Sequence, residues 1–271
     1  MMKSGTIALL TDFGNEDPYV GVMKGVIATI SPGTHVIDIT HKIGSQDVVR
    51  AAFILSKVFH YFPSGTIFTV IVDPGVGTSR GAIVAKTRDY YFIAPDNGIL
   101  SLVLAGKEIS EMVEINNPKY MLAPVSDTFH GRDVFSPAAA HISSGVPLHC
   151  LGPHIQEYKK IDFPKPHVGK HLIRGRVLFA DHFGNLITNI EASLLKDRKI
   201  GLVRIGGYMV HQINRSYIES VPGELLAIIG SYDTLEISIS HGSAKEYLGD
   251  ISGMDVEVWF GAEGIDTGVL L

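Results

Sequence analysis

Four short segments in the first half of the chain set Asp, Arg and His among glycines, a mixture suited to acid–base chemistry and polar-ligand recognition. They are Thr11-Asp12-Phe13-Gly14, Asp73-Pro74-Gly75-Val76-Gly77-Thr78-Ser79-Arg80, Ala94-Pro95-Asp96-Asn97-Gly98 and Thr128-Phe129-His130-Gly131-Arg132-Asp133. Each of the first three follows an apolar, strand-like run. A carboxylate at such a tip costs desolvation unless something uses it, and Asp12 would suit the two hydroxyls of a ribose. Arg80 keeps its charge at any working pH and is no base; Asp73 and His130 are the groups able to move a proton. Asp-Gly and Pro-Gly pairs also form ordinary turns. The recurrence of Asp before Gly at separate strand tips is what favours a site.

The second half adds Asp181-His182-Phe183-Gly184-Asn185-Leu186-Ile187-Thr188-Asn189 and Gly230-Ser231-Tyr232-Asp233-Thr234. Phe-Gly-Asn is either a hairpin turn or a ligand loop, with Phe183 stacking on an aromatic ring and Asn185 binding polar atoms. Ser231 lies in a second loop open to the same two readings. Glu236 follows Leu235 on the next strand and points to the opposite face. No Gly-x-Gly-x-x-Gly follows the first strand and no P-loop occurs, which argues against dinucleotides and nucleoside triphosphates. His141, His149 and His154 lack zinc spacing. A metal-dependent phosphohydrolase using Asp12, Asp73, Asp96 and His130 as ligands stays open as an alternative.

The elements that must hold these loops read as two domains. Ile7–Phe13, His35–Thr40, Thr66–Asp73, Ala82–Lys86 and Tyr90–Ala94 are strand-like. Tyr19–Ile30, with Asp17 as cap and Pro18 at its first position, and Gln46–Phe62 are helical. A further helix is expected from Ser136, with Pro137 at its first position. This order predicts an α/β domain over 1–163, a largely parallel sheet between helices, whose ligands gather beyond the strands' carboxyl ends. The stretch from Asp162 to Lys170, containing FPKPHVGK, reads as a linker. Leu172–Phe179, Leu186–Ile190, Ile200–Ile205, Leu225–Ile229, Leu235–Ser240 and Val256–Phe260 then predict a smaller all-β barrel domain over 171–271. Short helical segments fall near Ala192–Lys196 and Ala244–Leu248.

Composition sets the outer bounds. The 271 residues are 45% hydrophobic and 19% charged, with a formal net charge of −5 and one cysteine, Cys150. No apolar run approaches the roughly 20 residues of a membrane helix, and the first apolar stretch meets Asp12 at once, so it is read as a strand and not a signal peptide. A lone cysteine fits a reducing cytoplasm. The negative balance gives no reason to expect nucleic acid.

Taken in order along the chain, TDFG, DPGVGTSR, APDNG, TFHGRD, DHFGNLITN and GSYDTLEI resemble the S-adenosylmethionine (SAM) hydroxide adenosyltransferases, hydrolytic relatives of the bacterial fluorinase and chlorinase. The resemblance implies an N-terminal α/β domain, a C-terminal barrel and a homotrimer with the substrate between the N-terminal domain of one subunit and the C-terminal domain of the next. It implies that Asp73, Arg80 and His130 activate a water that attacks the 5′ carbon of SAM, giving adenosine and methionine without a cofactor. Asp12 corresponds to a ribose-binding aspartate, and Phe183 and Asn185 to barrel-side contacts with SAM. Asp181 and Ser231 match by motif position, and Glu236, from its place on the strand, is an expected anchor for the methionine amino group. Asp73 is expected to repel a halide, and halogenating members of the family lack that carboxylate. A non-catalytic adenosine- or SAM-binding protein is the remaining alternative.

Overall fold

A computed structural model describes residues 5–249, 251 and 253–261. The chain separates into two compact units that divide between Asp162 and Phe163.

The first unit is built on a six-stranded sheet. Its strands are β1 (Thr6–Thr11), β2 (His35–Thr40), β3 (Ile67–Ile71), β4 (Ala82–Thr87), β5 (Tyr91–Pro95) and β6 (Ile109–Glu114), in the spatial order β2-β1-β3-β5-β4-β6. Strands β2, β1, β3 and β5 run parallel. The expectation of a largely parallel sheet needs amending at one edge, because β4 pairs antiparallel with both β5 and β6. Only the three residues Arg88–Tyr90 separate β4 from β5, too few for the crossover that a parallel pair requires. The parallel part carries the chemistry: β1, β3 and β5 all deliver their carboxyl ends to the same edge, just before Asp12, Asp73 and Asp96.

Alternation along β1 and β3 explains the layers. Ile7, Leu9, Ile67 and Ile71 share a core with Met23 and Ile27 of helix α1 (Tyr19–Ile30) and Ala138 and Ile142 of helix α4 (Ser136–Ser143). Their neighbours Ala8, Leu10, Phe68 and Val70 are fully buried and, by alternation, face the other way. On that side Phe68 stacks on Phe92, and helix α2 (Val48–Val58) packs against β1. The short α3 (Ser101–Leu104) packs on α2. Asp47 caps α2 by accepting from Arg50 N at 2.9 Å. Two expected caps are corrected. Pro18, not Asp17, occupies the cap of α1, with no side-chain bond. Ser136 does not start its helix, because a π-helical turn over Gly131–Phe135 runs directly into α4 and leaves Ser136 buried in the helix interior.

The second unit is a nearly closed barrel-like sheet. Its strands are β7 (His167–Val168), β8 (Leu172–Ala180), β9 (Leu186–Glu191), β10 (Ile200–Ile205), β11 (Tyr208–Val210), β12 (Ile213–Asn214), β13 (Leu225–Ile229), β14 (Thr234–Ile239) and β15 (Asp255–Phe260). The order is β11-β10-β15-β8-β9-β14-β13-β12, with β7 beside β8, and β11 approaches β13. Ile173, Val177, Leu186, Ile190, Val203, Leu235, Ile237 and Val256 fill its core. A short helix α5 (Ala244–Leu248) packs on β14. The proline-rich stretch read as a linker is tied to this unit, through β7 and through Asn189 Nδ2, which donates to Pro164 O at 2.8 Å. Among the described residues, no helix is long and apolar enough to cross a membrane.

Candidate active site

The first unit carries a cavity of about 310 Å³ at the carboxyl ends of its parallel strands. Asp12, Phe13, Tyr19, Gln46, Asp73, Phe129 and His130 are among its lining residues. Phe13, Tyr19 and Phe129 meet edge to face, with ring centroids 5.2–6.0 Å apart. They form an apolar wall opposite which few polar groups converge, as in most small-molecule sites.

Asp73 and Arg80 from one segment and His130 from another are joined in one hydrogen-bonded chain. Arg80 Nε donates to both oxygens of Asp73, at 3.0 and 2.9 Å, and its Nη2 donates to Asp73 Oδ2 as well. The same Nη2 lies 2.7 Å from His130 Nδ1. The Arg80 and Asp73 side chains are only 6% and 5% exposed. The Phe135 ring covers the guanidinium at 5.3 Å. A tight turn brings the two segments together. Gly77 has φ +76°, and a Cβ there would collide with the carbonyl of Asp127, so only glycine allows the approach. Arginine has no acceptor, so His130 Nδ1 must receive the bond and carries no proton. The neutral ring then bears its proton on Nε2. Burial, followed by the charge of Arg80, pushes the His130 pKa below its ordinary value and favours that neutral form.

Asp12 lies at the tip of β1, and its Oδ2 accepts from Gln46 N at 2.8 Å. Asp96, the fourth member of the alternative metal set, is not brought to this cavity. Its Oδ1 instead accepts from Lys159 N at 2.8 Å. Among the described residues, no group of three or more His, Cys, Asp or Glu is disposed to hold a metal ion.

The second unit has its own cavity, about 720 Å³, and all five barrel residues singled out from the sequence line it: Asp181, Phe183, Asn185, Ser231 and Glu236. The turn reading of DHFGN is also realised. Asp181 Oδ1 accepts from the backbone N–H groups of Phe183 and Asn185, each at 2.9 Å, while Asn185 Nδ2 donates to Oδ2 at 3.0 Å. This folding leaves Phe183 74% exposed, an unusual state for a large aromatic ring. Glu236 is buried, and its Oε1 accepts from Tyr217 OH at 2.7 Å and Ser238 Oγ at 2.9 Å. Burial raises the Glu236 pKa, and the nearby Asp181 charge adds to the rise. Tyr217 is raised too, by burial and by its bond to Glu236. Tyr217 and Gln46 escaped the sequence reading. The first sits in a short 3-10 turn without a motif around it, and the second contributes only its backbone.

The architecture is thus a mixed α/β unit with a carboxylate–guanidinium–imidazole set, followed by a barrel with an aromatic, acidic cavity. Residues 7–152 match the SAM hydroxide adenosyltransferase N-terminal domain and residues 175–257 the C-terminal domain of the same family. The chain belongs to the SAM hydroxide adenosyltransferase family. It is 39% identical to an (R)-S-adenosyl-L-methionine hydrolase of Thermus thermophilus, over 93% of this chain and 98% of that one. A protein of the same name from Salinispora tropica is 35% identical over 96% of this chain and all of its own length. A fluorinase of Actinoplanes sp. is 28% identical over 72% of this chain and 74% of its own. Among solved structures, an uncharacterized conserved protein of Thermotoga maritima matches with a TM-score of 0.86 at 39% identity, covering 93% of this chain and 99% of that one.

Proposed function

We propose that this protein is an enzyme that hydrolyses S-adenosyl-L-methionine at its 5′ carbon, releasing adenosine and L-methionine. The observation that carries the reading is the Asp73–Arg80–His130 chain on a cavity that also holds Asp12. The sulfonium is already a good leaving group, so the protein's main task is to hold a water in line with the breaking bond. Positioning of that kind is worth roughly 7–11 kcal/mol. In the step, a lone pair of the water forms the C5′–O bond while the C5′–S pair departs onto sulfur. The water proton passes to Asp73, the anionic member of the set, as Nε2–H of His130 steadies the oxygen. Arg80 locks both groups in place. Asp12 takes the ribose hydroxyls. Asp181, Phe183, Asn185, Ser231 and Glu236 hold the adenine and methionine parts. Glu236 faces the methionine ammonium, whose charge offsets the burial that raises its pKa.

The finer reading has four parts. The relatives are named for the R configuration at sulfur, and we extend that preference to this chain. No metal or other cofactor takes part. The protein works in the cytoplasm as a homotrimer, and the barrel of one subunit completes the site on the α/β unit of the next. The exposure of Phe183 on its cavity supports that last point.

The test is a chromatographic assay in ¹⁸O-water with separate sulfonium epimers, with and without EDTA. Expected is adenosine carrying the heavy oxygen at its 5′-hydroxyl, formed faster from the R epimer and unaffected by EDTA. Methylthioadenosine as sole product, or unlabelled adenosine, refutes the mechanism.

A further inference from the structure

A second polar chain lies directly behind Asp12, in residues outside the cavity lining. Thr11 ends β1 and is fully buried; His41, immediately after β2, is 5% exposed. The two strands run in parallel register until a bulge between Leu9 and Leu10, after which Leu10 sits opposite Thr40. That slip carries His41 level with Thr11. Thr11 Oγ1 and His41 Nδ1 are 2.9 Å apart. On the far side of the ring, Nε2 lies 3.0 Å from Asp38 Oδ1, in an angle short of a well-formed hydrogen bond. Asp38 in turn is paired with Lys24 at 2.6 Å. With the ring N–H on Nε2, facing the Asp38 carboxylate, Nδ1 accepts from the Thr11 hydroxyl. The freed lone pair of Oγ1 accepts from Phe13 N at 3.2 Å.

The loop that begins at His41 grips the same turn twice more. The His41 carbonyl accepts from Gly14 N at 2.8 Å, and Gln46 N donates to Asp12 Oδ2. Asp12 is therefore flanked on both sides by bonds that trace back to one residue, through the imidazole at Thr11 and Phe13 and through the main-chain carbonyl at Gly14. A polar relay this deep is costly if any member loses its partner. Nothing about a parallel strand pair requires it.

We infer that His41, backed by Asp38, is a positioning residue that fixes the Thr11–Gly14 turn so that Asp12 meets a ribose diol in a set orientation. The inference rests on the reading of Asp12 given above. Its signature is selectivity between a ligand with the diol and one without it, which a merely structural residue leaves untouched.

The experiment measures calorimetric affinity for adenosine and 2′,3′-dideoxyadenosine, with KM and kcat for SAM, in wild type, Thr11→Val, Thr11→Ser and His41→Asn. Thr11→Val keeps the side-chain shape and removes the hydroxyl; Thr11→Ser restores it. Expected is a preference for adenosine over the dideoxy compound that falls roughly tenfold in Thr11→Val and His41→Asn and returns in Thr11→Ser. KM rises by a similar factor while kcat stays within about twofold, as for loss of uniform binding. An unchanged preference in a folded Thr11→Val or His41→Asn protein overturns the inference, as does a Thr11→Ser variant that behaves like Thr11→Val. If wild type itself ignores the diol, the role of Asp12 falls and the inference with it. If wild type binds with that preference but makes no adenosine, the proposed reaction fails while positioning stands.

Discussion

Replacing Arg80 by Met removes the shared partner of Asp73 and His130 while keeping most of the side-chain volume against Phe135. Asp73 would then be a carboxylate only 5% exposed, left with the Gly75 N–H at 3.2 Å. Breaking a buried pair in this way costs about 3–5 kcal/mol, chiefly because one charge stays behind. For a unit of this size that lowers the midpoint of thermal unfolding by roughly 6–20 °C. If the stranded charge is the cause, Asp73→Asn added to Arg80→Met should restore about 2 kcal/mol or more, since the second change removes the charge the first exposed. Activity behaves otherwise: both variants should be inactive, because neither has the set. The units can be watched separately. The only tryptophan, Trp259, belongs to the barrel, whereas the longer helices α1, α2 and α4 belong to the first unit. Urea unfolding followed by far-ultraviolet circular dichroism at 222 nm therefore reports mainly on the first unit, with tryptophan fluorescence as the internal control. A loss below about 1 kcal/mol in Arg80→Met, or a double variant no more stable than the single one, would falsify the account of the pair.

Three further outcomes are expected. Because the folded His130 pKa lies below the ordinary 6.5, the folded state binds its proton less readily than the unfolded chain. Its stabilising contribution is complete above about pH 6.5 and falls as pH drops through that value, levelling off below the folded pKa; unfolding curves of His130→Asn should lack this acid-side loss. On the proposed trimer, in which each site would draw one part from each of two neighbours in a ring, co-expressed Asp73→Ala and Phe183→Ala/Asn185→Ala chains, each inactive alone, should form mixed assemblies with about a quarter of wild-type activity; no recovery despite mixed assembly counts against the shared site. Chloride should bind Asp73→Asn, followed by calorimetry, well below the concentrations at which it binds wild type, sodium sulfate serving as ionic-strength control; equal affinity speaks against an uncompensated Arg80.

Much of this molecule is legible in its sequence, for reasons that are local. The β-branched run of β3 and the helical spacing of α2 report directly on burial, and Asp before Gly marks where a strand stops. The direction of the β4–β5 pair is hard to read because buried apolar runs look alike in either direction; only the three-residue connection betrays an antiparallel turn. Ser136-Pro137 looks like a helix start, yet the π-helical turn over Gly131–Phe135 runs into it and absorbs it. The five barrel residues line one cavity although DHFGN and GSYDT enter the antiparallel neighbours β9 and β14 from opposite ends; Glu236, opposite Ile187, lies between them. Long-range partners are another matter. Nothing near Tyr217 announces Glu236 nineteen residues away, and nothing near His41 announces Thr11, because such pairs depend on register and on a bulge that leaves no mark in composition.

The assembled set also changes the reason for choosing water over a halide. From the sequence, Asp73 stands as a bare negative charge that would repel an anion. In the fold, that charge is matched by Arg80, and the lowered pKa of His130 keeps the imidazole neutral, so the three side chains carry no net charge together. Repulsion at a distance is therefore weak. What remains is the polarity of the hydrogen bonds. A water can accept from an imidazole N–H and donate to a carboxylate at once, whereas a halide ion only accepts, and would find lone pairs of Asp73 turned towards it. The Nε and Nη2 donors of Arg80 are spent on Asp73 and His130. Selection by donor–acceptor match, not by charge, also explains why removing the carboxylate is expected to do more than lose a base: it releases a buried cation that an anion can use.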